Sequence, residues 1–267
     1  MNIPSNGNKK LEQVLYKVNK NIKLNTLWES SNTMAVKRLK MTDHGKVHVA
    51  IVSNIALKLL RNLKKSGITP DSVKDHNLEY DDAEVIVFLA SALHDIGNAI
   101  SREDHERMGI ALAPPIIEDL LKDIYPERER TIIMTEILHA MLCHDTNAKT
   151  HTTEGGLVMI ADGLDMEEGR ARIPFDLGKI DIHSVSAMSI ENVNLSYSKE
   201  SPIEIEIIMT NSAGIFQVDY LLKKKIEASG LERYVSVTAR VKDGKEKKII
   251  KIYKLNNHNN HENGDQR

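Results

Sequence analysis

Cysteine is almost missing from this chain. A single Cys143 in 267 residues excludes a disulfide framework and makes a reducing cytoplasm the expected compartment. Aromatic residues are scarce, at 4%, too few for the stacking platforms that hold single-stranded nucleic acid. No run approaches the ~20 apolar residues that span a bilayer, so no membrane partner is expected. The opening Met1 to Lys10 lacks the apolar centre of a signal peptide. Net charge is only −2, so bulk electrostatics give no support for DNA or RNA as a partner. The G-x-x-x-x-G-K-[ST] phosphate cradle is absent, which argues against a P-loop ATPase. No internal repeats are visible.

What is present reads as a mainly α protein. Residues 1–10 read as a disordered start. Leu11, Val14, Leu15, Val18 and Ile22 recur at helical spacing, and Thr33 to Lys40 extends the helical region. Thr42-Asp43-His44-Gly45 is a turn or cap. From Lys46 to Lys65, His48, Val52, Ile55, Leu59 and Leu63 form one stripe. Ile68 to Tyr80, with Pro70, reads as a loop with little regular structure, and Asp81-Asp82 as the cap of a strongly apolar helix leading to His94-Asp95. Further helices are predicted from Ser101 to about Ile124, interrupted at Pro114-Pro115, then from Arg128 to Cys143, and from Gly156 to Asp165.

After about residue 180 the period changes to two. Val193–Tyr197, Ile203–Ile207, Tyr234–Val241 and Lys248–Tyr253 alternate like strands. Ser212 to Ser229 is an amphipathic helix with Ile215, Val218, Leu222 and Ile226 inward. Lys242-Asp-Gly-Lys245 is a hairpin turn in this reading. The expected architecture is a helical bundle over 11–180, then a small α+β domain over 181–255 with one helix on an antiparallel sheet, then a disordered tail over 256–267. The tail's His258 and His261 read as solvated.

His94-Asp95 ends the most apolar helix, and a lone pair of this kind is ordinarily a polar helix end. Other residues at helix ends alter that reading: His48, His105, His144 and Asp162 join His94 and Asp95. Nitrogen and carboxylate donors without thiolate suit Mn²⁺, Fe²⁺, Ni²⁺ or Mg²⁺. Four ligands hold one ion and two further histidines allow a second. Asp95 as a bridge would let the pair lower the pKa of a water between them.

The ordered series His48, His94-Asp95-Ile96-Gly97, His144 and Ala161-Asp162 resembles the HD-domain superfamily of metal-dependent phosphohydrolases, over roughly residues 40–170. His105-Glu-Arg-Met-Gly109 is similar to the additional step of its two-metal branch. The whole chain resembles uncharacterised prokaryotic, largely archaeal, HD proteins with a C-terminal α+β domain. The resemblance implies an all-α bundle, with His48, His94, Asp95 and Asp162 as core ligands and His105 and His144 as ligands of a second ion. His94 and Asp95 carry the catalytic assignment.

Other candidates are open to two readings. His139 lies five residues before His144, ~140° away around a helix, and is a ligand only if the helix breaks between them. Asp165 shares a face with Asp162 and is a ligand or a support for one. His44, Lys46, Arg102, Arg170 and Arg172 are substrate candidates, and Lys223-Lys-Lys225 reads as a solvent face. The expected reaction is hydrolysis of a phosphomonoester or phosphodiester in a small, nucleotide-like substrate, by a cytoplasmic enzyme that a homodimer would suit. A di-iron oxygenase on the same ligands is one alternative. A non-catalytic nucleotide sensor or scaffold is the other, and the full ligand set argues against it.

Overall fold

The computed structural model describes residues 1–167, 182–242 and 252–255. Helices α1 (Lys9–Lys20), α2 (Ile22–Asn32), α3 (Lys46–Lys65), α4 (Asp71–His76), α5 (Tyr80–Leu93), α6 (His105–Leu112), α7 (Pro114–Leu121), α8 (Glu127–Leu142) and α9 (Thr153–Leu164) precede the sheet. The bundle is arranged around α5. From Val85 to Leu93 only Ser91 is polar, so this helix has no face suited to water. The structure buries it from Asp82 to Leu93. Helices α3, α8 and α9 pack on it and α1 covers another side. Its C-terminal end is held from α2: Trp28 Nε1 donates to Ala92 O at 2.8 Å and Ser31 Oγ to Asp95 O at 3.2 Å. These bonds satisfy carbonyls that a helix terminus leaves open and fix the corner carrying His94 and Asp95.

Gly97 explains how α6 reaches that corner. A Cβ at Gly97 would stand 1.9 Å from His105 O and 2.5 Å from Gly109 N, so only glycine admits the first turns of α6. The short 3₁₀ turn Ile96–Ala99 then returns the chain to deliver His105.

Several expectations are corrected. The opening residues are packed: Ile3 is buried, and Asn8 caps α1 while donating to Glu84 Oε2 at 2.9 Å. Asn21, in extended backbone, ends α1 and caps α2. That break shifts the helical phase and leaves Ile22 exposed. The presumed loop 68–80 contains α4. The start of α5 is capped by Glu79 with Asp82 in a reciprocal capping box, so of the expected Asp81-Asp82 pair Asp82 takes part and the N-cap is Glu79. Thr33–Arg38 is helical as read, in a π form.

The C-terminal part holds α10 (Ile182–Ala187), β1 (Ile190–Ser196), β2 (Ile203–Met209), α11 (Lys223–Ala228), β3 (Val235–Val241) and β4 (Ile252–Leu255). The strand order is β1-β2-β3-β4. The sheet is mixed where an antiparallel one was expected. Outer pairs are antiparallel, but β2 and β3 run parallel with Ile205 opposite Val237. The physical reason is the connection, since a strand that returns through a crossover helix lies parallel to its partner. That helix is π-helical over Gln217–Leu222 before α11. It turns Val218, Leu222 and Ile226 inward, and Ile203, Ile205 and Ile207 of β2 are buried with Val235, Val237 and Ala239 of β3. The 243–245 turn residues, 248–251, and the tail 256–267 with His258 and His261 lie outside the described residues. Among the described residues no helix is long and apolar enough to cross a membrane.

Candidate metal centre

Five helices bring the histidines and aspartates together at their ends. His48 comes from the first turn of α3, where Asp43 Oδ2 accepts from its backbone N–H at 3.0 Å. His94 and Asp95 leave the end of α5, His105 opens α6, His144 follows α8, and Asp162 sits on α9. His48 Nε2 and His94 Nε2 lie 3.1 Å apart. Asp95 Oδ2 is 3.4 Å from each, and Asp162 Oδ1 is 3.2 and 3.6 Å from them. On the other side of Asp95, His105 Nε2 is 3.3 Å and His144 Nε2 3.8 Å from Oδ1, with 3.1 Å between the two rings' nitrogens. Asp95 therefore directs one oxygen at each histidine pair.

The ring tautomers decide what this geometry can do. Nδ1 of His94 lies 2.8 Å from Ser91 O and Nδ1 of His144 2.7 Å from Met141 O. A carbonyl only accepts, so both Nδ1 atoms carry the proton and each ring turns its Nε2 inward, where it can hold a proton or ligate a cation. His48 Nδ1 is 2.5 Å from Asp165 Oδ2, and Glu106 Oε2 is 3.5 Å from His105 Nδ1. Histidines that ligate metals are oriented in this way, through the nitrogen that faces away from the ion. Lone pairs facing each other at 3.1 Å repel unless a proton or cation lies between them. Donor–donor edges of roughly 3.0–3.4 Å follow from metal–ligand bonds of ~2.1 Å, and in the first group all but the 3.6 Å His94–Asp162 distance fall within that range. His48, His94 and Asp162, and likewise His94, Asp95 and His144, can each hold a metal ion.

Burial disfavours charge on His94, but Asp95 and Asp162 outweigh it and raise its pKa to about 9. Burial and the neighbouring His94 charge push His144 down to about 3. Asp95, though buried, is held well below the usual carboxyl range by His94 and His44. Asp162 is likewise depressed against its burial, by Lys225 and then by His48 and His94. The centre thus keeps two ionised carboxylates among imidazoles.

The remaining candidates separate clearly. Asp165 is brought in as the partner of His48. His44 is buried with its ring centroid 5.6 Å from that of His48, and its Nδ1 lies 2.8 Å from Thr42 O. It precedes α3, so loop geometry and not helical spacing puts it there. Arg102 Nη1 stands 3.3 Å from both His105 Nε2 and Asn98 Oδ1. Lys46 is exposed and donates to Asn25 Oδ1 at 2.8 Å. His139 is not with the cluster: its Nε2 accepts from His151 N at 3.1 Å and its ring stacks on His151. Arg170 and Arg172 lie outside the described residues.

Two contributors escaped the sequence reading. Asn98 Nδ2 donates to Asp95 Oδ1 at 2.9 Å, and its signal was an amide three residues beyond the His-Asp pair in a buried stretch. Lys225 is not on a solvent face: its Nζ donates to Asp162 Oδ2 at 2.7 Å and to His144 O at 2.8 Å. Its position beside Ile226, at the flank of the apolar stripe, was the available sign.

No family model and no solved structure matches the chain. The uncharacterized protein MJ1020 of the archaeon Methanocaldococcus jannaschii is 47% identical to it over 230 residues, covering 86% of this chain and 88% of the relative. At that identity and coverage, the chain belongs to the family of this archaeal protein.

Proposed function

We propose that the protein is an HD-type, metal-dependent phosphohydrolase that cleaves a phosphomonoester or phosphodiester of a nucleotide-like substrate. One observation carries this reading: Asp95 offers Oδ2 to His48 and His94 and Oδ1 to His105 and His144. A carboxylate so shared suits two divalent ions, with His48, His94, Asp95 and Asp162 holding one and His105, His144 and Asp95 the other. Ions held this way supply an activated water and polarise a phosphoryl group. The protein's own part is orientation and charge. Asp165 aims His48, the Ser91 and Met141 carbonyls aim His94 and His144, and Asn98 holds Asp95 Oδ1. Arg102, at the His105 edge, provides a guanidinium for an anionic substrate.

The test combines elemental analysis of protein purified without chelator and a panel of phosphomonoesters and phosphodiesters under Mn²⁺. The expected result is more than one transition-metal equivalent per chain, with turnover on the panel. Asp95→Ala should lose both metal and turnover. Protein without bound metal, or loaded protein inert on every phosphoester, would count against the reading. O₂ consumption with a mixed-valent iron signal would move it to the oxygenase alternative.

A further inference from the structure

The centre is closed almost everywhere. Side-chain exposure is 0% for His48 and His94, 4% for Asp95 and His105, and 3% for His144. Asp162 is 18% exposed and the residue lying over it, Lys225, is 16% exposed. The ligand with most access to water is therefore the one held by a lysine from the C-terminal part of the chain.

The packing that brings Lys225 there is specific. A Cβ at Gly163 would lie 2.8 Å from Lys225 Cδ and 3.5 Å from Leu222 Cδ1. A Cβ at Gly156, seven residues earlier and so on the same face of α9, would lie 2.4 Å from Ser229 O. Two missing side chains let α11 approach α9 closely enough for an ammonium to reach Asp162. An Asp carboxylate rotates easily about its last torsion, and at a partly wet edge its two oxygens would exchange. With Oδ2 committed to Lys225 at 2.7 Å, Oδ1 remains toward His48 and His94.

Resting on the metal-centre reading above, we propose that Lys225 is a positioning residue of that centre: the C-terminal unit completes the site by pinning the outer oxygen of Asp162. Two effects oppose each other. An ammonium close to a cation repels it, whereas a hydrogen-bonded partner that orients a ligand ordinarily strengthens binding, and losing such a partner costs ~10–100-fold in affinity. The proposal commits to the second effect being larger.

The experiment titrates Co²⁺ into full-length wild type, Lys225→Met, Lys225→Arg and Gly163→Ala, following visible absorption and checking fold by circular dichroism. Lys225→Met should bind one Co²⁺ ~10–100-fold more weakly with an altered ligand-field spectrum. Lys225→Arg should recover most of the affinity. Gly163→Ala should shift affinity in the same direction as Lys225→Met without changing any charge, and it carries the test if Lys225→Met fails to fold. Wild-type affinity and spectrum in the folded Lys225→Met protein, or tighter binding, would overturn the proposal, as would a lower melting temperature alone. If wild type itself binds no Co²⁺, the metal reading falls as well. Binding by wild type with no effect of Lys225→Met removes only the role of Lys225.

Discussion

His139 and His144 stand five residues apart, and the chain uses them differently because α8 ends between them. Cys143 caps the helix with φ −94° and ψ 3°, so His144 leaves the helical path and turns its Nε2 toward His105 and Asp95. His139, still helical, is taken up by the His151 backbone. At the residue scale this separates variants sharply. His105→Ala and His144→Ala should each lower the metal content by about one ion per chain, leaving the other in place. His139→Ala should leave it unchanged. Asp165→Ala should keep the stoichiometry yet weaken binding ~10–100-fold, since it acts only by orienting His48. Metal counting and titration on these four proteins check the set. Unchanged metal content in His105→Ala and His144→Ala would reduce both to helix-terminal histidines.

At the scale of elements, α4 and α9 hold each other by their N-termini. Asp71 Oδ2 accepts from Thr153 N at 2.6 Å and from Thr153 Oγ1 at 2.7 Å, while Glu154 Oε1 accepts from Ser72 N at 3.0 Å and from Ser72 Oγ. Burial acts to raise the pKa of Asp71, but these bonds from Thr153, with Lys74, bring it below the ordinary value of 3.8. A depressed carboxyl stabilises the fold above its unfolded pKa, and the benefit is lost as pH falls through the lower folded value. Asp71→Asn should therefore cost about 1 kcal/mol near neutral pH, as for a lost cap, and the gap from wild type should close as pH falls through the lowered folded value. Denaturant melts at several pH values test this, and a pH-independent gap would contradict it. Such contacts also mark where sequence stops being informative. The long helices were legible because their stripes repeat at 3.6. The six residues of α4 bury only Ser72 and follow Pro70, so no stripe announced them. The same limit hid the parallel β2–β3 pair: alternation in Ile203–Ile207 reports a buried face but not strand direction. The candidate ligands His48, His94, Asp95, His105, His144 and Asp162 could be collected from one sequence because each sits near a helix end. Lys225 could not, because its partner is 63 residues away and its own helix looks solvated on that side.

For the whole molecule, the question is how far the helical bundle stands without the α+β part. Apolar contacts among α1, α3, α5, α8 and α9 are internal to residues before 168, so a fragment ending near residue 180 should keep its helical circular dichroism. It should not be equivalent to the intact chain. The face of α9 that carries Gly156 and Gly163 is covered by α11 and the residues around Gly230, and Val218, Leu222 and Ile226 are buried in the same continuous core. Removing them opens an apolar strip on α9, takes the Lys225 ammonium away from Asp162, and exposes the edge of the candidate metal centre to water. The expected result is a lower melting temperature, by ~2–4 °C for each kcal/mol lost at this chain length, together with weaker Co²⁺ binding of the kind assigned to Lys225→Met. Calorimetry and cobalt titration on the fragment and the full chain check both. The same two samples test the expected homodimer. Light scattering during size-exclusion chromatography should show the full chain as a dimer and the fragment as a monomer if the α+β part forms the contact, and the same number of protomers in both would remove that role. A fragment that melts and binds metal like the full chain would show instead that α11 covers the bundle without supporting it.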